Sequence, residues 1–183
     1  MTNYTKKLVV AFDLDGTLID SSHRITYKED GSFDLDAWIR DCKEKTKDDI
    51  LLPLADVYFA YKAAGFTIIA VTAREMHKED FDYLDKNELD FDLILHREGS
   101  TELDHVLKNR LLNDFFEEEG RIPFQAYDDK QDNLEVFDAH GFRTFHATYL
   151  NKAMKAEKRD LISVTPKMAV LSENGDSWGS EEE

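Results

Sequence analysis

The chain has 183 residues, and 23 lysines and arginines against 39 aspartates and glutamates leave a formal charge of −16 and a pI near 4.7. A chain of this length forms one domain that buries about 70% of the surface its unfolded form exposes. A 42% hydrophobic share with 11% aromatics supplies the core. So large a negative charge works against sequence-independent wrapping of duplex, which needs many cations to displace counterions. An anion is accepted only where positive charge is gathered locally. One cysteine, Cys42, excludes an intramolecular disulfide framework and leaves no cysteine cluster for structural zinc. Residues 1–7 contain no apolar stretch, so we expect no signal peptide, no membrane span, and a soluble chain in a reducing cytoplasm.

The first apolar run, Leu8–Phe12, is short and unalternated, the pattern of a strand buried on both faces. It ends in Asp13-Leu14-Asp15-Gly16-Thr17. Carboxylates two residues apart in extended backbone point the same way, and Gly16 permits a sharp turn after them. Such a pair can divide labour: one attacks phosphorus, while the other protonates the leaving oxygen and then activates water. The plain alternative is an acidic turn in an aspartate-rich chain. Residues 20–52 then break the pattern as a small insertion, polar at both ends, with Leu35, Trp38, Ile39 and Cys42 at helical spacing. That is enough for a partial roof over a site and too little for a second domain. Cys42 on this stripe reads as core, since nothing around it would activate a thiolate. His23 reads as an exposed loop residue beside Arg24.

Leu54, Val57, Tyr58 and Tyr61 predict a helix with Pro53 near its start and Gly65 past its end. A second strand over Phe66–Val71 follows, and Thr72 and Arg74 at its end suit a phosphoryl oxygen by hydroxyl donation and by a guanidinium fork. A third strand, Phe91–Leu95, precedes His96-Arg97-Glu98, whose first two residues are candidates for touching substrate. Thr101 with Asp104 three residues on suggests a capping box for a helix that spaces Leu103, Leu107, Leu111 and Phe115 four apart and carries Lys108. The fourth strand, Phe124–Tyr127, runs into Asp128-Asp129. With Asp13 these make an all-oxygen site for a hard divalent ion, Mg²⁺ being the usual choice beside phosphate. Leu134 and Phe137 before Gly141 mark a short helix, and Arg143–His146 a fifth strand. Residues 151–171 read as a C-terminal helix or extension, and 172–183 as a disordered acidic tail in which Trp178 offers at most a weak docking contact.

Strands alternating with helices predict an α/β chain with a Rossmann-like, three-layer parallel sheet, whose ligands gather beyond the carboxyl ends of the strands. Each motif is weak alone. Their force is joint, because three separate strands end in groups suited to phosphate or metal.

The order Asp13-x-Asp15-Gly16-Thr17, then Thr72 after an apolar run, then Lys108, then Asp128-Asp129 resembles the four motifs of haloacid-dehalogenase-type phosphohydrolases, from about Leu8 to Leu150. Within that superfamily the chain is similar to the phosphatase domain of bacteriophage polynucleotide kinase-phosphatase and its stand-alone phage relatives. The residues behind this nearer likeness are Arg24, Arg74, the insertion with Trp38, His96-Arg97-Glu98 and Asp104-x-x-x-Lys108. The resemblance implies one phosphatase domain over 1–150 with a small cap at 20–52. It implies Asp13 as the nucleophile of an aspartyl-phosphate mechanism, Asp15 as general acid/base, Thr72 as phosphate donor, and Lys108 as the cation holding the aspartate and the phosphoryl oxygens. It implies Mg²⁺ on Asp13, Asp128, Asp129 and the backbone carbonyl of Asp15. Arg24, Arg74, Gly16 and Arg97 join Thr72 as candidates for phosphate or substrate binding. Lys130 stands where the family usually has arginine, and no Gly-x-x-x-x-Gly-Lys-Ser/Thr is present, so neither a kinase half nor ATP is expected.

The leading expectation is a Mg²⁺-dependent phosphomonoesterase that removes a 3′-terminal phosphate from a nucleic-acid end, in the host cytoplasm if phage-encoded. A nucleotidase acting on free nucleoside monophosphates is the alternative, and the acidic surface favours it. Transfer of the phosphoryl group to an alcohol other than water is also chemically allowed. From a different class, the chain could be a non-catalytic acidic protein that mimics nucleic acid, although a mimic has no need of Thr72, Lys108 and Asp128 alongside Asp13 and Asp15.

Overall fold

A computed structural model describes residues 7–34, 36–38, 46–117 and 120–157. The strands in chain order are β1 (Leu8–Phe12), β2 (Ile19–Asp20), β3 (Ile50–Leu51), β4 (Thr67–Glu75), β5 (Leu93–Arg97), β6 (Ile122–Asp128) and β7 (Arg143–His146). The helices are α1 (Ala55–Ala64), α2 (Lys78–Lys86), α3 (Asp104–Phe116), α4 (Gln131–Ala139) and α5, which spans 147–157. Five strands form one parallel sheet in the order β5-β4-β1-β6-β7, while β2 and β3 pair antiparallel and bracket the insertion.

The unalternated apolar run of β1 follows from burial on both sides, because successive side chains of a strand enter opposite layers. Val9 and Ala11 pack with Leu112 and Phe115 of α3 and Phe137 of α4. Val10 and Phe12 pack with Ala55 and Tyr58 of α1, Leu84 of α2 and Ala147 of α5. The sheet is therefore the middle of three layers, and the expected α/β architecture is the one observed. Among the described residues, no helix is long and apolar enough to cross a membrane.

Several boundaries differ from the sequence reading for local reasons. Strand β4 runs on past Val71 to Glu75, because Thr72 and Arg74 are buried with polar partners and need no turn there. Helix α1 stops at Gly65 as expected, with that glycine at φ 78°. Helix α2 was not expected, since Lys78–Lys86 is mostly charged and carries few apolar residues. The capping box at Thr101 does not form: α3 starts at Asp104, whose carboxylate is engaged instead by Arg97 and Lys130. The C-terminal helix begins at 147 rather than 151. Within the insertion, residues 36–38 are helical, and the Asp34 carboxylate caps that turn by accepting the Ala37 N–H at 3.0 Å. Leu35, Ile39 and Cys42 of the expected stripe, and the acidic tail with Trp178, lie outside the described residues.

From β1 the chain builds outward through β4 to β5, then returns to lay β6 and β7 on the other side. The direction of winding thus reverses between β1 and β6, the place where open parallel sheets bind ligands. Asp13 directly follows β1, and Asp128 ends β6.

Candidate active site

Asp13 and Asp128 come from adjacent strands, and Lys108 reaches between them from the first half of α3. Its ammonium lies 2.6 Å from Asp13 Oδ1 and 2.6 Å from Asp128 Oδ2, with all three side chains buried. Asn133 Nδ2 donates to both Asp128 oxygens at 3.0 and 3.1 Å, and the Lys130 N–H donates to Asp128 Oδ1 at 2.9 Å. Burial raises the Asp13 pKa well above the carboxylate range against the opposing pull of Lys108, and the neighbouring Asp128, Asp129 and Asp15 add to the rise. Burial alone would lower the Lys108 pKa, but Asp128 and Asp13 outweigh it and hold the ammonium charged. Burial, then the Asp128 charge, pushes Asp129 up to about 6. Oxygens of Asp13, Asp128 and Asp129 lie within 4.8 Å of one another.

After Asp13 the chain turns back on itself through Asp15 and Gly16, with Gly16 at φ 75° and its N–H on Ile19 O at 2.8 Å. A Cβ at Gly16 would lie 2.5 Å from Asp129 Oδ2, so the absent side chain is what lets that carboxylate approach the turn. The Asp15 carboxylate is held by Ser21 and Arg74. Ser21 Oγ donates to its Oδ1 at 2.5 Å, Arg74 Nε donates to its Oδ2 at 3.1 Å, and Arg74 Nη2 closes the fork on Oδ1. Burial would raise the Asp15 pKa, but the Arg74 charge and these hydrogen bonds lower it below the ordinary value. Thr72 Oγ1 accepts the Arg74 N–H at 3.1 Å, which leaves its hydroxyl proton to be given elsewhere.

These groups face one cleft of about 330 Å³. Its lining includes Asp13, Asp15, Gly16, Thr72, Arg74, Lys108, Asp129 and Lys130, together with Ile25, Phe33 and Trp38 of the insertion. The Phe33 and Trp38 rings sit 5.9 Å apart at 55°. Lys130 reaches Asp104 Oδ2 at 2.5 Å on the cleft wall. Two of the expected substrate-binding residues are placed elsewhere. Arg24 is buried behind Asp15, on the Asp49 carboxylate. Arg97 is buried among Ala73 O, Ser100 O, Glu102 O and Asp104 Oδ1, so it shapes the turn ahead of α3. The sequence reading did not include Phe33, Ile25, Asn133, Asp49 or Asp80. The spacing of Asn133 on the helix after Asp128-Asp129 was a usable signal for one of them.

The profile of the family described as Bacteriophage T5 5′-deoxynucleotidase matches residues 1–174. The chain belongs to that family. Membership makes it a phosphoric monoester hydrolase, which removes the non-catalytic mimic from the readings above, and its architecture is the haloacid-dehalogenase fold. No curated protein matches this family member. Solved structures that resemble it include two of a Pnkp1/Rnl/Hen1 RNA repair complex. One is 24% identical, with 76% of this chain and 42% of that chain covered at a TM-score of 0.59. The other is 23% identical, with 77% and 45% covered at 0.62. The chain thus spans less than half the length of those proteins. A haloacid dehalogenase-like hydrolase from Streptococcus pneumoniae is 18% identical, with 80% and 85% covered at 0.54. At such identities the likeness is one of fold.

Proposed function

We propose that the chain hydrolyses deoxynucleoside 5′-monophosphates to the nucleoside and inorganic phosphate. The cleft carries this reading: Asp13, Thr72 and Lys108 share about 330 Å³ with the apolar Ile25, Phe33 and Trp38. That volume is at the small end of the roughly 300–1,000 Å³ of ligand sites, and aromatic faces stack on any base. One nucleotide, phosphate inward and base against Trp38, suits such a space. The family description, a 5′-deoxynucleotidase, supports the deoxy sugar and the 5′ position, and its bacteriophage origin supports the cytoplasm of an infected cell. A charge of −16 favours a small substrate over a polymer. The 3′-end phosphatase, first choice from the sequence, takes second place.

In the first step an Asp13 oxygen attacks phosphorus, the ester P–O bond breaks towards the sugar oxygen, and Asp15 supplies the proton that oxygen needs. Water then attacks the aspartyl-phosphate and gives its proton to Asp15, releasing phosphate and restoring the Asp13 carboxylate. Lys108 offsets the charge of the approaching anion, and Thr72 donates its hydroxyl proton to a phosphoryl oxygen. Arg74 keeps Asp15 ionised at rest; the negative charge of an arriving phosphate pushes that pKa back up, towards the proton-bearing form the first step requires. Asp13, Asp128 and Asp129 offer clustered hard oxygen donors and fit a divalent ion. They would hold Mg²⁺, whose charge would stabilise the transferring phosphoryl group.

The test is phosphate release in Mg²⁺ from a deoxynucleoside 5′-monophosphate, its ribose counterpart, a 3′-mononucleotide and a 3′-phosphorylated oligonucleotide, with Asp13→Asn as control. The expected order puts the deoxynucleoside 5′-monophosphate first. Preference for the oligonucleotide would replace this reading with end healing, and full activity in Asp13→Asn would remove the nucleophile.

A further inference from the structure

Behind Asp15, Arg74 is held in a buried ionic cluster whose other members the chemistry above does not use. The Arg74 guanidinium turns one edge to Asp15 and the other to Asp80 and Asp49, with Nη1 2.8 Å from Asp80 Oδ1 and 3.3 Å from Asp49 Oδ2. Asp49 in turn takes Arg24 on both oxygens, Nε donating to Oδ1 at 2.9 Å and Nη2 to Oδ2. Asp80 also accepts Thr46 Oγ1 at 3.0 Å and the His77 N–H at 2.9 Å. The side chains of Asp49 and Asp80 are fully covered, and those of both arginines are almost so. Burying this many charges is expensive, and well-packed apolar residues of similar volume often do as well or better for stability. A fold seeking stability alone gains little from such a cluster.

Its placement is specific. Arg24 belongs to the entering limb of the insertion, Thr46 and Asp49 to the returning limb, Arg74 to β4 and Asp80 to α2. Asp49 and Asp80 meet on the one guanidinium that forks the Asp15 carboxylate, with Arg24 bonded to Asp49 and Thr46 to Asp80 behind them. We propose that Asp49 and Asp80 are positioning residues: they fix Arg74, and Arg74 fixes Asp15 for proton transfer to the leaving oxygen, so that the insertion and the sheet jointly aim the general acid. This rests on the phosphatase reading above and goes beyond it in assigning residues that never touch substrate.

A misaimed acid matters only when the leaving group needs a proton. The alkoxide of a nucleoside needs one, whereas p-nitrophenolate leaves without help. The measurement is therefore kcat/KM, which reports the first step, for a deoxynucleoside 5′-monophosphate and for p-nitrophenyl phosphate. It is made on wild type, Asp49→Asn, Asp80→Asn and, as reference, Asp15→Asn. General acids contribute about 10²- to 10⁴-fold, so a positioning partner is expected to cost about tenfold or more on the nucleotide and less than about threefold on the aryl ester. Asp49→Glu is expected to recover part of the loss. If Asp49→Asn gives no cooperative melt, Asp80→Asn carries the comparison. Equal losses on both esters would make the cluster purely structural and overturn the proposal, as would wild-type ratios in both variants. Inactivity of the wild type towards both esters would instead sink the phosphatase reading itself, and an unselective loss in Asp15→Asn would remove the acid that the cluster is said to aim.

Discussion

Lys108 is the residue whose removal most directly tests the electrostatics of the site. Its ammonium is buried and 2.6 Å from carboxylates on two different strands, with Asp129 close by. Lys108→Met preserves most of the side-chain volume and deletes only the charge, which leaves buried carboxylates facing one another. Breaking a buried pair in this way costs about 3–5 kcal/mol. For a chain of this size each kcal/mol moves Tm by about 2–4 °C, so the apo variant is expected to melt about 6–20 °C below wild type. The sign of its pH dependence follows from Asp13, whose pKa is already raised in the folded state. Without Lys108 it rises further, so ionisation destabilises the fold above that pKa, and the deficit shrinks as pH falls and the carboxyl takes up a proton. A divalent cation replaces the lost charge: at about a hundred times its Kd it restores about 2.7 kcal/mol, whereas wild type, which already carries the ammonium, gains less. Calorimetry at pH 5.5 and 8, with and without Mg²⁺, measures all of this. A variant that melts within about 2 °C of wild type at pH 8 without metal would refute the argument, because the ammonium would then not be neutralising the cluster.

Three further outcomes follow from the same geometry. Gly16→Ala forces a side chain into a positive-φ position and 2.5 Å from Asp129 Oδ2, so it is expected to lose about 1–2 kcal/mol in urea denaturation and at least about tenfold in Mg²⁺ affinity by calorimetric titration. Asp13→Asn removes a carboxylate whose ionised form is disfavoured in the folded state, while Lys108 keeps Asp128. Its metal-free Tm is expected to rise by about 2–4 °C at pH 8, with the gain fading as pH falls and wild-type Asp13 becomes protonated; a fall in Tm at pH 8 would contradict the raised pKa. Trp38→Ala is expected to raise KM for the nucleotide about tenfold or more, the worth of one stacking contact, with kcat within about twofold and little change for phosphate esters that lack a base.

The middle of the sheet was legible because β1 is buried on both faces and announces itself as a continuous apolar run; β1 and the edge strand β7 fall within the bounds expected for them. Asp13, Thr72 and Asp128 come together because a parallel sheet gathers the carboxyl ends of its strands whatever lies between them, and Lys108 joins Asp13 and Asp128 from α3. What failed was anything set by long-range partners. Arg24 looked like a phosphate clamp, and nothing local revealed that Asp49 would occupy it, or that Arg74, which does line the cleft, would share its guanidinium among Asp15, Asp49 and Asp80. Arg97 was misjudged in the same way, its donors taken by carbonyls of the next turn. Helix α2 was hidden because one Asp80 carboxylate, rather than an apolar stripe, ties its first turn to the core. Phe33 escaped notice because its value depends on the turn at Asp34 that brings the Trp38 ring beside it.

The central place of β1 also governs how the enzyme comes into being. Its neighbours are Thr67–Glu75 on one side and Ile122–Asp128 on the other, both distant in sequence. At about 5–20 residues per second, a ribosome delivers Asp13 on the order of ten seconds before Asp128. Through that interval the apolar segment Leu8–Phe12 has no permanent partner on its second edge, which makes it the stretch most in need of shelter during synthesis. Asp13, the proposed nucleophile, is thus made early and waits for Lys108 and Asp128 to complete its surroundings, so an early-terminated chain carries no half-assembled site.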